Sequence, residues 1–261
     1  ASSLIKGKGF IIQSGYCNFE YWAGHYHYEK IENRMHCAPC WKRRDCEEDH
    51  QCMKGISAQE VFEIVASQLY AKKTNKFMSN TLLAPRKFDL LRRHSISTSG
   101  IEGDIIEVGL FRGGSFAMLC EINPHKHIYG FDTFEGLPPH SPEDNKHVEG
   151  EFSDTNKEAV ENLVAHLDNH TIQKGRFPQD LSIDLSDKKF SLAHIDVDLY
   201  QEHINVLNYL YDKVVENGRI VFDDYNHPNC LGAKKAVDLF FKDKPEEIIT
   251  SNTSQAYVIK K

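Results

Sequence analysis

The sequence predicts an α/β protein: a doubly wound, mostly parallel sheet that carries a small Cys-rich module at its N-terminal end. Three observations predict it. From residue 103 onward, short apolar runs alternate with segments of helical periodicity, the pattern of parallel sheets covered on both faces. Several of those runs stop abruptly at glycines or aspartates, as expected where strands run into ligand-facing turns. Finally, five of the seven cysteines (Cys17, Cys37, Cys40, Cys46 and Cys52) lie in the first 52 residues, leaving Cys120 and Cys230 for the rest.

The elements follow in order. Residues 1–71 form the Cys-rich module, with a strand-like run at 9–13, an aromatic-rich piece at 19–28 and the cysteine cluster at 37–52. A helix follows over 57–70, opened by Ser57 with Glu60 three positions on, a capping box. Residues 72–261 form the second domain. Its polar lead-in, 72–99, carries one apolar-periodic stretch that serves as a packing helix or a lid. Strands are predicted at 104–108, 127–131, 171–174, 190–195 and 218–222. Helices are predicted at 115–122, 156–167, 202–211 and 231–241, and a closing pair of strands at 247–250 and 255–259. A Pro-rich, acidic loop at 135–154 is expected to close over a substrate.

Composition narrows the function. The chain has 261 residues, 40% hydrophobic and 26% charged, with a formal charge of −7. It reads as globular, and its acidity argues against a nucleic-acid partner. No run approaches the roughly 20 apolar residues of a membrane span, and no charged-then-apolar leader is visible. The expectation is a cytoplasmic enzyme.

The turn after the first strand reads EVGLFRGGS, from Glu107 through Gly109 to Ser115. Its spacing is not the dinucleotide G-x-G-x-x-G. It suits a ligand without a pyrophosphate, such as S-adenosylmethionine, which carries an amino-acid tail and a sulfonium. Glu107 is placed to sit near the positive part or to orient water around it. The second strand ends at Asp132, where a carboxylate can accept hydrogen bonds from both ribose hydroxyls. Phe177, after a short strand, either stacks on adenine or is a core ring beside a turn.

Two further strands end in HIDVDLY and FDDY. In a parallel sheet these ends lie side by side, so Asp196, Asp198, Asp223 and Asp224 converge at the rim of the glycine turn. Mutual repulsion makes that costly without a cation, and clustered carboxylate oxygens suit Mg²⁺; the alternative is that they cap the following helices. The expected roles are Asp196, Asp223 and Asp224 on the metal and Asp198 as the base, with His194 either the alternative base or a structural hydrogen-bonder. The four cysteines Cys37, Cys40, Cys46 and Cys52 suit tetrahedral Zn²⁺, with free thiols or a disulfide as alternatives.

Taken together, EVGLFRGGS, YGFDTFEGLP (129–138), HIDVDLY (194–200), VFDDY (221–225) and GAKKAVDLF (232–240) resemble the macrocin O-methyltransferase family, which includes the mycinamicin and noviose O-methyltransferases. The resemblance spans about residues 80–261. It implies a class I S-adenosylmethionine methyltransferase domain and Mg²⁺-dependent methylation of a sugar hydroxyl, on a small-molecule or glycan substrate. It implies the same metal and base aspartates, cofactor contacts at Glu107, Gly109, Ser115 and Asp132, and a homo-oligomer. Residues 7–52 resemble instead the C-terminal tail of heptosyltransferase-type glycosyltransferases. Two rival readings are a catechol-type methyltransferase and a catalytically idle glycan-binding or scaffold module.

Overall fold

The computed structural model describes residues 56–261 throughout, with the backbone of two short strands before them, β1 (Gly9–Gln13) and β2 (Tyr28–Glu32). β1, the run read from the sequence, pairs with β2 in parallel. The chain forms two compact units, Ala1–Gln68 and Leu69–Lys261. The five N-terminal cysteines lie outside the described residues, and with them the zinc expectation. Helix α1 (Ala58–Thr74) begins as its cap predicts, with Ser57 Oγ accepting the Glu60 N–H at 3.0 Å.

The larger unit continues through a 3₁₀ turn, Asn75–Asn80, into α2 (Pro85–Ser97), with proline at its first position. There follow β3 (Asp104–Val108), α3 (Gly114–Ile122), β4 (Ile128–Asp132), α4 (Lys157–Val164) and β5 (His170–Lys174). The remainder is β6 (Phe190–Ile195), α5 (Tyr200–Leu210), β7 (Val214–Phe222), α6 (Leu231–Phe241), β8 (Ile249–Thr250) and β9 (Ala256–Ile259). These strands form one seven-stranded sheet in the order β5-β4-β3-β6-β7-β9-β8. β3 to β7 are parallel; β9 runs antiparallel to β7 and to β8.

Side-chain alternation along the strands separates the core into two layers. Ile106, Val108, Phe131, Ala193, Ile195, Ile220 and Phe222 face α5 and α6, meeting Val206, Leu207, Leu210, Val237 and Phe241. Ile105, Ile128, Leu192 and Val221 face the other way, onto Phe88 and Leu91 of α2, Phe116 and Leu119 of α3, and Val160 and Val164 of α4. The central strands β3, β4 and β6 are buried on both faces, which is why they read as nearly continuous apolar runs rather than alternating ones.

Two boundaries differ from the sequence reading for a physical reason. β7 starts four residues early, at Val214, because the pairing with β6 slips between Phe190 and Leu192 and absorbs Asn217 (φ 63°) and Gly218 as an irregularity rather than a turn. α5 starts at Tyr200 because its first N–H group is capped from afar: the two carboxylate oxygens of Asp144 accept the Tyr200 N–H at 3.0 and 3.2 Å. Among the described residues, no helix is long and apolar enough to cross a membrane.

Candidate active site

β3 and β4 lead away from the sheet centre in one direction, β6 and β7 in the other. The carboxyl ends at such a reversal open a crevice. Here it is a cleft of about 290 Å³, floored by the turns after β3, β4, β6 and β7 and flanked by Thr81, Leu82, Leu83 and Lys87 of the lead-in. The lead-in thus contributes both a packing helix, through Phe88 and Leu91, and a wall of the cleft.

The glycine turn forms one side. Gly109 has φ 93°, and a Cβ there would strike the Asp196 carbonyl oxygen, so this close approach of two strand ends requires glycine. Gly113 takes the left-handed conformation (φ 78°) that ends the turn and starts α3. Ser115, in the first turn of that helix, lines the cleft, as do Gly109 and Asp132.

Asp132 has a bracing duty beyond the expected one. Its Oδ2 accepts the N–H groups of Leu110 (2.7 Å) and Phe111 (2.8 Å), and its Oδ1 accepts that of Phe134 (2.6 Å). Burial nonetheless raises its pKa above the ordinary carboxylate value, the three backbone donors opposing that shift. A carboxylate offers about four acceptor positions, so the one left over is on Oδ1. Phe177 also reaches the cleft, but its ring packs against Phe131 (centroids 4.7 Å apart) and edge-on to Tyr209 (5.0 Å) and is 3% exposed. Of the two readings of this residue, the core ring is the one the packing favours.

The acidic wall is built by adjacency. Ile195 and Phe222 are register partners at the ends of β6 and β7, and the next residues are Asp196 and Asp223. Asp196, Asp198, Asp223 and Asp224 all line the same cleft as Gly109, Ser115 and Asp132. Asp198 has φ 56°, a left-handed conformation unusual for a residue with a Cβ, though one that Asp tolerates better than most. Burial first, then the charges of Asp223, Asp224 and Asp198, pushes the Asp196 carboxyl well above the usual range. Burial, then Asp224, does the same to Asp198.

One cation and one amide meet this wall. Lys87 Nζ bonds Asp223 Oδ2 and lies 3.2 Å from Asp224 Oδ1. Burial alone would lower the lysine, but Asp223 and Asp224 raise it above its ordinary value. Gln255 Nε2 donates to Asp223 Oδ1 at 2.6 Å. Neither was identified from the sequence. Four carboxylates against one ammonium leave an oxygen-rich, negatively charged wall, a donor set that fits a hard divalent cation.

Glu107 and His194 lie elsewhere than the sequence suggested. Both are wholly buried, and they are direct register partners on β3 and β6, with Glu107 Oε1 2.8 Å from His194 Nδ1. Glu107 lies between Ile106 and Val108, so alternation turns it onto the opposite sheet face, the layer of Ile105, rather than beyond the strand end. It is a partner of His194 and is not among the residues that line the cleft. The imidazole's Nε2 lies 3.7 Å from Asp223 Oδ1. Burial opposes its charge, but nearby Asp223 and the hydrogen-bonded Glu107 raise its pKa to about 9. A raised pKa and two acidic neighbours favour the structural hydrogen-bonding reading of His194 over the base reading. Asp223 answers it: burial would raise this carboxyl, but His194 and Lys87 pull it down to about 2.

The acidic loop at 135–154 brings Gly136, Leu137, Pro138 and Phe152 to the cleft. It is pinned by buried Asp144, which caps α5 and accepts from Ser141 Oγ at 3.0 Å. Arg176, also on the cleft, pairs with Glu202 at 2.6 Å.

Comparison with known proteins gives this geometry its context. The chain is 25% identical over 199 residues to demethyldecarbamoylnovobiocin O-methyltransferase of Streptomyces niveus, covering 69% of this chain and 75% of that one. Among solved structures it resembles the O-methyltransferase NovP, with a TM-score of 0.59 and 22% identity, covering 69% of this chain and 82% of the other. It also resembles MycE methyltransferase from the mycinamycin biosynthetic pathway, solved with Mg, SAH and mycinamycin VI. There the TM-score is 0.51 and the identity 14%, covering 73% of this chain and 54% of that one. The family model for macrocin-O-methyltransferase (TylF) matches residues 57–250. The glycine turn and the paired strand ends therefore lie within that match, and the chain belongs to the macrocin O-methyltransferase family of methyltransferase enzymes.

Proposed function

We propose that this enzyme transfers a methyl group from S-adenosylmethionine to a sugar hydroxyl with the help of Mg²⁺. The observation that carries the proposal is the convergence, in one cleft, of four aspartates with the glycine turn, Ser115 and Asp132. The relatives' names, which include a novobiocin-type and a mycinamycin-pathway methyltransferase, support a glycosylated or sugar-like acceptor.

Each side of the cleft has a task. The glycine turn and Ser115 at the α3 N-terminus suit the amino-acid end of the methyl donor, because helix N-termini favour carboxylates. The free acceptor position on Asp132 suits a ribose hydroxyl. Asp196, Asp223 and Asp224 would hold the cation. When bound, Mg²⁺ supplies a fixed position for the acceptor hydroxyl and a lower pKa for it. Asp198 then takes the hydroxyl proton as the oxygen forms its bond to the methyl carbon and the carbon–sulfur bond breaks.

The test is methyl transfer from labelled S-adenosylmethionine to a panel of sugars, glycans and catechols, with products read by mass spectrometry. Labelled sugar is expected with Mg²⁺, none in EDTA, and recovery on adding Mg²⁺ back. Full turnover in chelator would contradict the metal role, and activity confined to catechols would refute the sugar assignment. No saturable cofactor binding would favour the idle-scaffold reading.

A further inference from the structure

A second cluster of ligating atoms adjoins the acidic wall, and its cysteine and histidines are used by none of the steps above. Cys230, the residue that caps α6, is 1% exposed. Its Sγ lies 3.4 Å from His147 Nε2, 3.3 Å from His227 Nδ1 and 3.4 Å from Asp198 Oδ1. The ligating atoms of His147, Asp198 and Cys230 lie within 4.8 Å of one another, as do those of Asp224, His227 and Cys230. His147 belongs to the acidic loop, Asp198 to the turn after β6, and His227 to the turn after β7, so three separate connections deliver these groups.

A count of donors shows what this arrangement lacks. His147 Nδ1 lies 3.0 Å from Glu151 Oε2. A carboxylate only accepts, so Nδ1 carries the hydrogen and the neutral ring turns a bare lone pair at Nε2 toward the sulfur. His227 Nδ1 spends its lone pair on the Asn229 N–H at 3.4 Å and is not a free acceptor. The Asp198 carboxylate is a second acceptor beside His147 Nε2. One thiol hydrogen cannot serve both, and a cation between them can. The Glu151–His147 pair is the carboxylate–histidine arrangement that orients metal-bound imidazoles.

From this geometry we infer a binding site for a zinc-class divalent cation, with Cys230, His147 and Asp198 as ligands and solvent in the fourth position. The sulfur and the imidazole select a softer ion than the oxygen-only set of Asp196, Asp223 and Asp224. On binding, the thiol loses its proton to solvent and the thiolate joins the metal. The site does not depend on methyl transfer or on Mg²⁺. Where Asp198 is the base, a cation here also removes it from proton acceptance.

The probe is Co²⁺, added to the full chain with Mg²⁺ in excess so that oxygen-only sites are already filled. Wild type, Cys230→Ser, His147→Gln and Glu151→Gln are compared, with circular dichroism confirming that each is folded. The wild type is expected to show sulfur-to-cobalt charge-transfer absorption and tetrahedral ligand-field bands that Zn²⁺ abolishes. Cysteines elsewhere in the chain contribute equally to all four proteins, so the difference isolates this site. Cys230→Ser and His147→Gln should each bind one equivalent of cobalt fewer. Glu151→Gln should bind it about 10- to 100-fold more weakly. Identical cobalt stoichiometry and spectra in wild type and in the folded Cys230→Ser or His147→Gln variant would overturn the assignment. Because none of these readouts is turnover, failure here leaves the methyltransferase reading intact, and loss of turnover leaves this site intact.

Discussion

Glu107 and His194 form a buried ion pair, Oε1 to Nδ1 2.8 Å, across two central strands directly behind the acidic wall. Through His194 the pair reaches Asp223, so a glutamate remote from the cleft positions a carboxylate that lines it. Removing one member of a buried pair is costly because the other is left uncompensated. Glu107→Gln is therefore expected to destabilise the fold by about 3 kcal/mol, read as a lowered midpoint in urea. S-adenosylmethionine affinity of the folded variant, measured by calorimetry, should change little. A large loss of affinity with unchanged stability would return Glu107 to the cofactor.

The same charges predict an alkaline weakness. His194 titrates near 6.5 when unfolded and near 9 when folded. A raised pKa gives stability that is fully present below about pH 6.5 and is lost as pH climbs through about 9. Asp223, depressed from 3.8 to about 2, contributes stability that is present above about pH 4 and lost as pH falls through 2. In chelator, stability from this trio should plateau between about pH 4 and 6.5 and then fall toward pH 9, by an amount on the order of 3 kcal/mol. Urea unfolding across that range checks it. His194→Gln should flatten the alkaline limb, whatever its overall cost; an equally steep limb would assign the proton to another group.

Much of this was readable before the structure, and the failures share a cause. β3 and β6 were legible to the residue, because each is a short apolar run bounded by glycine or aspartate. The aspartate quartet was legible because those residues directly follow two apolar strands that had to be neighbours. Glu107 was misplaced because a motif ending was read without strand parity: one residue decides between a strand's tip and its face. Lys87, Gln255 and Asp144 left no local trace. Lys87 meets Asp223 from 136 positions away, and Asp144 caps a helix 56 positions on. Such contacts are created by tertiary packing, and a polar residue in a loop or on a helix face looks the same with or without them.

Lys87 stands between Asp223 and Asp224, two of the proposed metal ligands. Its ammonium and a divalent cation are competitors for the same oxygens. Lys87→Met should therefore weaken the metal-free fold, since buried Asp223 and Asp224 lose their lysine partner, yet bind Mg²⁺ about tenfold more tightly, a difference of about 1.4 kcal/mol. Calorimetric Mg²⁺ titration of both proteins is the measurement. Weaker Mg²⁺ binding in the variant would show that the lysine supports the cation's site rather than competing for it.

Asp132 offers the sharpest division between bracing and binding. Three of its acceptor positions hold the Leu110, Phe111 and Phe134 amides, and only one faces a ligand. Asp132→Ala strips all of these, costing about 1 kcal/mol per amide left unpaired and releasing the glycine turn. Cofactor affinity should fall at least about tenfold, the loss of one charge-assisted hydrogen bond at roughly 1.5 kcal/mol. Asp132→Asn separates the two duties. If its amide oxygen takes the Oδ2 position, it can still accept from Leu110 and Phe111, while its NH₂ faces the Phe134 N–H and the ribose side as a donor. Stability should then recover further than affinity does. Paired unfolding and calorimetry experiments decide the matter: if affinity and stability recover in step, Asp132 acts on the cofactor only by shaping the turn.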